Sequence, residues 1–218
     1  MISNQQFELN ILLKTIFINI YFDIISQLAR RNRMKFLFTN TSHFNLANMF
    51  TFVNITAGLL ATYFITQNNF FTAIILAWIG GAFDIFDGKI ARKYNLSNEF
   101  GVQLDSFADF LSFVLVPVFL IFQAVYAVNF SGIAIVAAAA ISIYYVISGL
   151  RRLIQFNINS DAGEVAKFFT GVPTPLGAIL LWLVYLASTY EFLPASGVVV
   201  LMIIIGWSLN SKIKVPHL

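Results

Sequence analysis

Six long apolar runs separated by polar turns dominate the chain after residue 45. They cover roughly 46–67, 70–92, 102–127, 131–152, 173–190 and 194–211. A helix needs about 20 apolar residues to cross a bilayer, so this pattern predicts six transmembrane helices. Most connections are short, such as Gln67 to Asn69 and Glu191 to Pro194, and neighbouring helices should therefore be antiparallel. Only 153–172 forms a longer connection.

The first 35 residues follow a different pattern. Polar residues recur there at steps of three or four: Thr15, Asn19, Asp23, Gln27 and Arg30. This spacing leaves an apolar stripe on the opposite face and is typical of an amphipathic helix in the membrane interface. A basic stretch suited to anionic lipid follows at 30–35. We therefore expect an N-terminal amphipathic and basic segment, 1–40, and a six-helix domain, 41–218.

Composition agrees with an all-α integral membrane protein. The chain is 59% hydrophobic and 11% charged, with a mean hydropathy of +0.80, so polar residues are too few to cover a soluble surface. The sequence contains no cysteine, which excludes disulfides, thiolate metal ligands and thiol nucleophiles. His43 and His217 stand alone near the ends of the chain, and we assign no role to either. Any metal ion would therefore be held by oxygen ligands.

Basic residues gather on alternate connections. Twelve of the 13 lie on one side of the predicted bundle, and the exception is Lys14 in the N-terminal segment. They are Arg30, Arg31, Arg33, Lys35, Lys89, Arg92, Lys93, Arg151, Arg152, Lys167, Lys212 and Lys214. The positive-inside rule predicts that this side and both termini face the cytoplasm, in a multi-pass protein of the cytoplasmic (inner) membrane. Charges dispersed in this way indicate topology, and we expect no nucleic-acid partner.

Four aspartates interrupt the second and third apolar runs. At about 100° per residue, they form one stripe on each predicted helix together with small residues. The second-helix stripe is Asp84, Asp87, Gly88 and Ala91 with Arg92 at its edge, and the third-helix stripe is Gly101, Asp105, Ala108, Asp109 and Ser112. Small residues would let the two helices approach closely, so we expect the carboxylates to converge near the cytoplasmic end.

Clustered carboxylates in an apolar environment repel one another, and divalent cations relieve that repulsion. Oxygen ligands suit Mg²⁺, Mn²⁺ or Ca²⁺, and four aspartates are enough for two such ions. Two metal ions about 4 Å apart can stabilise the attacking and leaving oxygens of a phosphoryl displacement. Chemistry alone leaves two alternatives open: a cation or proton path, and structural ion pairs with Arg92 and Lys89.

The spacing of these residues resembles a family signature. Asp84-x2-Asp87-Gly88-x2-Ala91-Arg92-x8-Gly101-x3-Asp105-x3-Asp109 matches the full motif of the CDP-alcohol phosphotransferases. The stretches NMFTFVNITAGL and KFFTGVPTP also resemble the bacterial and archaeal phosphatidylserine synthases of that family. The likeness spans roughly 45 to 210 and leaves the N-terminal segment uncovered.

The resemblance implies roles for the signature residues. An acceptor hydroxyl would attack the β-phosphorus of CDP-diacylglycerol and release CMP. Two divalent cations, Mg²⁺ or Mn²⁺, would be held by the aspartates, with Asp84 and Asp105 contacting both, Asp87 one and Asp109 the other. Asp109 would also be the catalytic base. The residues implied to contact CDP-diacylglycerol are Gly88, Arg92, Thr51, Asn54, Ser97 and Asn98.

The identity of the acceptor is inferred from residues outside the signature. Serine carries a carboxylate, and Arg151, Arg152 and Lys167 are the candidate cations for binding it. Phosphatidylserine synthases usually have Arg-Leu-x-Arg-Phe-Asn here, whereas this chain has Gln155 in place of the second arginine. The Gly171-Val172-Pro173-Thr174-Pro175 segment nevertheless favours serine.

These observations lead to one hypothesis and several competitors. We expect a homodimeric transferase that makes phosphatidylserine from CDP-diacylglycerol and L-serine, the homodimer being implied by the resemblance alone. The first alternative keeps the chemistry but uses a polyol phosphate, glycerol 3-phosphate or inositol phosphate, as acceptor. A second alternative is a cation transporter that uses the four aspartates, and a third is a non-catalytic scaffold in which they are dispensable.

Overall fold

A bundle of six helices forms the described part of the chain. The computed structural model describes residues 33–161, 168–211 and 214–216. The helices are α1 Leu46–Thr66, α2 Phe70–Tyr94, α3 Glu99–Asn129, α4 Gly132–Asp161, α5 Thr174–Thr189 and α6 Ala195–Leu209. A 3₁₀ turn at Arg33–Phe38 precedes them. Two short strands, β1 Phe168–Thr170 and β2 Lys214–Pro216, pair antiparallel.

Asparagine side chains begin the first three helices. Asn45, Asn69 and Asn98 each accept the backbone N–H three residues later, at 3.0, 3.2 and 2.6 Å. These bonds satisfy N–H groups that the first helical turn leaves without a partner. Asn45 also donates to the carbonyl of Leu96 at 3.0 Å, which ties the start of α1 to the end of α2. The same ends of α1, α2 and α3 are thereby held together.

The prediction of an all-α membrane protein is confirmed, and each predicted apolar run lies on one of the six helices. Four of them, α1 to α4, are long and apolar enough to cross a membrane. The other two, α5 and α6, are apolar but have only 16 and 15 residues, which corresponds to roughly 24 and 22 Å. The β1–β2 pair was not predicted, because three-residue strands carry no recognisable pattern.

Helix α3 is the centre of the bundle. Half of its most apolar window is buried (50%), compared with 22% to 33% for α1, α2 and α4. Its path includes two π-helical segments, Phe110–Leu115 and Phe122–Tyr126. The first begins directly after Asp109, and widened turns of this kind often occur beside functional residues. The largest fully buried side chains of the core include Leu120, Ile121, Tyr126, Tyr145, Leu181 and Met202.

Large apolar side chains cover the outside of the bundle. Five examples are each more than half exposed: Leu59, Trp78, Ile147, Leu183 and Trp207, at 58%, 55%, 60%, 56% and 61%. Such a surface suits hydrocarbon rather than water. The predicted interfacial helix and the first residues of the basic stretch lie outside the described residues, and the division between 1–40 and 41–218 stays a prediction.

Candidate active site

The aspartates of α2 and α3 converge as predicted. One carboxylate oxygen each from Asp84, Asp105 and Asp109 lies within 4.8 Å of the other two. Asp87 lies one turn beyond Asp84 on α2 and is buried, with 5% of its surface exposed. The helical periodicity of two adjacent helices therefore brings three acids from a stretch of 26 residues into one cluster, with the fourth beside it.

Helix α1 supports this cluster through hydrogen bonds. Thr51 Oγ1 donates to Asp87 Oδ2 at 2.8 Å, and Asn54 Nδ2 donates to Asp84 Oδ1 at 3.1 Å. Ser112 Oγ in turn donates to Asn54 Oδ1 at 2.6 Å. Asn54 is fully buried by these contacts. In this structure Thr51 and Asn54 therefore position carboxylates, a role that the sequence interpretation did not assign to them.

Ser112 is a supporting residue that the sequence interpretation placed on the acidic stripe without giving it a function. It follows Asp109 by three positions, and its hydroxyl is buried between α1 and α3. A serine on the same face as two aspartates was the available signal. Its connection to Asp84 passes through a different helix, however, and could not be derived from periodicity.

The two signature glycines have different surroundings. A Cβ at Gly101 would lie 2.6 Å from Asn48 Oδ1, so α3 approaches α1 too closely there for a larger residue. A Cβ at Gly88 would meet only the guanidinium of Arg92, with Nη1 at 3.6 Å, which is an ordinary contact. We expected the small residues of the two stripes to bring α2 directly against α3, and this is wrong for both glycines. Gly101 allows α3 to pack closely against α1, and Gly88 faces a cleft.

This polar cleft, of about 220 Å³, lies between α1, α2 and the start of α3. The residues lining it include Thr51, Asp87, Gly88, Arg92, Ser97 and Asp105. Asn98 also lines it, but its side chain is occupied in the local fold, since Nδ2 donates to the carbonyls of Asn40 and Ser42 at 2.5 and 3.2 Å. Arg92 is exposed, and its guanidinium lies next to Gly88.

A second cavity opens at Asp109. This Asp109 cavity has a volume of about 170 Å³ and is lined by Asp109, Arg152, Leu153, Phe156 and the start of α5, 173–175. Within the described residues, Asp109 Oδ1 is buried without a hydrogen-bond partner. The cavity is therefore a small space lined by both an acid and a guanidinium.

Arg152 is held in this cavity by the backbone of the α4–α5 connection. It is buried, with 6% of its surface exposed. Its Nε donates to the carbonyl of Val172 at 3.2 Å, and its Nη2 donates to the carbonyl of Gly171 at 3.4 Å. Arg151 is exposed and is not among the residues that line the cavity, and Lys167 lies outside the described residues. Of the three candidate acceptor cations, the structure brings Arg152 to Asp109.

A third, apolar cavity of about 230 Å³ lies between α2, α3 and α5. Trp78, Gly81, Phe113, Ile179 and Trp182 line it together with Asp84. The Asp84 carboxylate therefore borders this apolar cavity, whereas Asp87 and Asp105 border the polar cleft. The acids of one cluster are distributed among three cavities of different character.

The cluster fits a divalent cation. Oxygen ligands on opposite sides of Mg²⁺ are about 4.2 Å apart, and around Ca²⁺ they are up to about 5 Å apart, so oxygens within 4.8 Å of one another can share one ion. A cation would also satisfy the buried, unpartnered Oδ1 of Asp109. The arrangement of Asp84, Asp105 and Asp109 is thus suited to holding a divalent cation.

Comparison with protein families identifies the chain. Residues 44–209, which include all six helices and the whole acidic cluster, match the family described as CDP-alcohol phosphatidyltransferase. The chain belongs to this family. The predicted resemblance is confirmed, and the chain is a transferase rather than a cation transporter or a scaffold. Divalent-cation dependence is general among CDP-alcohol phosphatidyltransferases, in agreement with the acidic cluster.

Curated relatives extend the likeness. The chain is 35% identical over 171 residues to CDP-diacylglycerol--serine O-phosphatidyltransferase of Bacillus subtilis, covering 78% of this chain and 88% of the relative. It is 30% identical over 174 residues to the Helicobacter pylori protein of the same name, covering 78% and 71%. Archaetidylserine synthase of Methanothermobacter thermautotrophicus is 32% identical over 179 residues, covering 81% and 72%.

Proposed function

We propose that this protein transfers the phosphatidyl group of CDP-diacylglycerol to the hydroxyl of L-serine, giving phosphatidylserine and CMP. The observation that carries the proposal is the position of Asp109, which belongs to the acidic cluster and shares a cavity with the buried Arg152. An acid beside a guanidinium suits a small acceptor that has both a hydroxyl and a carboxylate. The names of the relatives from Bacillus subtilis and Helicobacter pylori support the same acceptor.

The donor occupies the polar cleft and the apolar cavity in this proposal. Gly88 leaves room for the nucleotide to approach the backbone of α2, and Arg92 beside it can form paired hydrogen bonds to phosphate. Ser97 and Asn98 lie at the same cleft, toward the end of α2. The apolar cavity that borders Asp84 is suited to the start of an acyl chain entering from the bilayer.

Two divalent cations, Mg²⁺ or Mn²⁺, held by Asp84, Asp87, Asp105 and Asp109, would neutralise charge on the pyrophosphate and on the departing CMP. Asp87 and Asp84 are oriented for this by their bonds from Thr51 and Asn54. Hydrogen bonds to metal-binding carboxylates from neighbouring side chains orient the ligand oxygens toward the metal ion.

The acceptor occupies the Asp109 cavity. Arg152 binds the serine carboxylate, since its two bonds to backbone carbonyls use two of its five N–H donors and leave the others for a ligand. Asp109 accepts the proton of the serine hydroxyl while the new oxygen–phosphorus bond forms. Residues of α4 and of the start of α5 line the cavity, and a bound serine would displace the water that would otherwise compete with it as the acceptor.

The membrane setting follows from the distribution of charge. We propose that the protein lies in the cytoplasmic membrane with the active site and both termini on the cytoplasmic side, because twelve of its 13 basic residues belong to that side. Serine then enters from the cytoplasm and CDP-diacylglycerol moves sideways from the inner leaflet. A homodimer belongs to the same proposal through the family resemblance.

The test is a measurement of CMP release by the purified protein in mixed micelles containing CDP-diacylglycerol and Mn²⁺ or Mg²⁺. L-Serine, glycerol 3-phosphate and inositol phosphate are supplied one at a time. We expect release with serine, loss of release after chelation, and a lipid product carrying a primary amine. Release with glycerol 3-phosphate but not with serine would overturn the acceptor assignment, and D-serine serves as the matched control for the shape of the cavity.

A further inference from the structure

We propose that the C-terminal end of the chain is a clasp that positions the acceptor site. The clasp consists of the last two residues of α6 with the two that follow them, 208–211, and of strand β2, Lys214–Pro216. It acts on the connection 168–173, whose backbone carbonyls hold Arg152. This inference rests on the proposed function, because it assigns a positioning role toward the acceptor.

The first contact is between the α4–α5 connection and the end of α6. Val172 N–H donates to the carbonyl of Ser208 at 3.2 Å, which satisfies one of the last carbonyl groups of α6. Gly171 has a φ of +90°, and a Cβ there would lie 2.6 Å from the carbonyl oxygen of Leu209. Only glycine fits this backbone conformation at this distance. The two carbonyls that receive Arg152 therefore belong to residues fixed against α6.

The second contact is the short antiparallel ladder. Phe168 pairs with Pro216, Phe169 with Val215 and Thr170 with Lys214. The ladder comes directly before Gly171, so it fixes the connection from the other side. The ladder is held by backbone hydrogen bonds, so most side-chain substitutions in it should leave it intact. Removal of β2 should abolish it.

The third contact joins the clasp to the helix that carries Arg152. Asn210 Nδ2 donates to the carbonyl of Ser148 at 3.0 Å. Ser148 lies one turn before Arg152 on α4, so the end of α6 contacts both the helix that carries the guanidinium and the loop that orients it. Nothing in the clasp lines the polar cleft. Loss of the clasp should therefore weaken the binding of serine and leave the binding of CDP-diacylglycerol unchanged.

The main experiment compares the full chain with a chain truncated after residue 213. CMP release is measured against serine concentration at saturating CDP-diacylglycerol, and against CDP-diacylglycerol at saturating serine. We expect the KM for serine to rise at least about tenfold, because a charged hydrogen-bonding group loses its orientation. The donor KM and kcat should stay within about twofold, as expected for loss of acceptor binding alone. An unchanged serine KM in the folded truncated protein would overturn the proposal.

A side-chain substitution in β2 is the matched control for the truncation, and a pair of cysteine substitutions provides a second test of the ladder. Val215→Ala retains the backbone of β2, so its serine KM should equal that of the unmodified chain. If truncation prevents folding, the paired substitutions Thr170→Cys and Lys214→Cys decide instead. Antiparallel Cα partners are about 4.5–5.5 Å apart, which a disulfide can span. The chain has no other cysteine, so a monomer crosslink reports this pairing directly.

We expect the oxidised double variant to form the intramolecular crosslink and to keep the normal serine KM. Absence of the crosslink, or a crosslinked protein with a strongly raised serine KM, would contradict the clasp. Failure of the proposed function gives a different result: the unmodified chain would release no CMP with serine. The same comparison of KM values would then be made with the acceptor that does support release.

Discussion

The polar cleft and the Asp109 cavity are built in different ways around one acidic cluster. The cleft is formed by three consecutive helices, and its chemistry comes from side chains spaced along them, including Asp87, Gly88 and Arg92. The Asp109 cavity is assembled from α3, α4 and the start of α5, and its guanidinium is oriented by loop carbonyls. The first region is specified locally, whereas the second depends on distant parts of the chain.

This difference predicts that mutations affect the donor and acceptor regions differently. The proposed donor site needs only the correct packing of α1, α2 and α3, which Asn45 and Asn98 support through the helix ends. We expect the proposed acceptor site to change through substitutions in the α4–α5 connection or near the end of α6 without disturbing the cluster. Substitutions in the donor region are therefore expected to disturb the acidic cluster as well, whereas substitutions in the acceptor region should alter the use of serine alone. Five variants test where the boundary lies.

The largest expected effect is that of Asp109→Asn, at the point where the two regions meet. Loss of the base should lower kcat about 10²- to 10⁴-fold. The donor KM and the Mn²⁺ requirement are measured as well, because Asp109 is also a proposed metal ligand. Glu99→Gln, which removes an exposed carboxylate at the start of the same helix, is the control. A kcat near normal for Asp109→Asn in the CMP-release assay would remove Asp109 from catalysis.

Arg152→Ala should separate acceptor from donor. Loss of a charged hydrogen-bonding partner is worth roughly 1.5–3 kcal/mol, so we expect the serine KM to rise about 10- to 100-fold with the donor KM unchanged. Arg151→Ala tests the neighbouring, exposed arginine and should have a much smaller effect. If Arg151→Ala raises the serine KM and Arg152→Ala does not, the Asp109 cavity is not the acceptor site.

The two signature glycines sharpen the comparison within the donor region. Gly88→Ala should stabilise α2 by about 0.5–1 kcal/mol, because alanine is the better helix former, and yet raise the donor KM about tenfold. Gly101→Ala should lower the thermal stability, since its Cβ would lie 2.6 Å from Asn48 Oδ1. Thermal unfolding in detergent and donor KM are measured together. Equal behaviour of the two variants would contradict the distinct surroundings of these glycines.

A smaller effect is expected for Thr51→Val. The valine cannot donate to Asp87 Oδ2, so we expect about tenfold more Mn²⁺ to be needed for half-maximal activity. Thr51→Ser should restore the normal requirement. Thr56→Val on the same helix removes a hydroxyl that only bonds the carbonyl of Phe52, and it should have no effect on the cation requirement. A normal Mn²⁺ requirement for Thr51→Val would show that Asp87 needs no support from α1.

The sequence allowed the cluster to be predicted because its acids lie on two adjacent helices joined by a short turn. Helical periodicity then determines which residues share a face. Periodicity could not separate Arg151 from Arg152, because the choice depends on how α4 packs against α3 and α5. It also could not show that Gly101 packs against α1 while Gly88 faces a cleft. The acceptor region depends on the backbone of Gly171 and on a three-residue ladder, neither of which produces a hydrophobic pattern.

The short length of α5 and α6 has a mechanical consequence. At roughly 24 and 22 Å, these two helices are shorter than a typical hydrocarbon core of about 30 Å, so the bilayer beside them must thin or the helices must shift along its normal. Pro173 and Pro175 at the start of α5 form part of the wall of the Asp109 cavity. Bilayer thickness is therefore expected to act on this wall of the proposed acceptor site. Vesicles made from lipids of different chain length should alter the use of serine before they alter the binding of the donor.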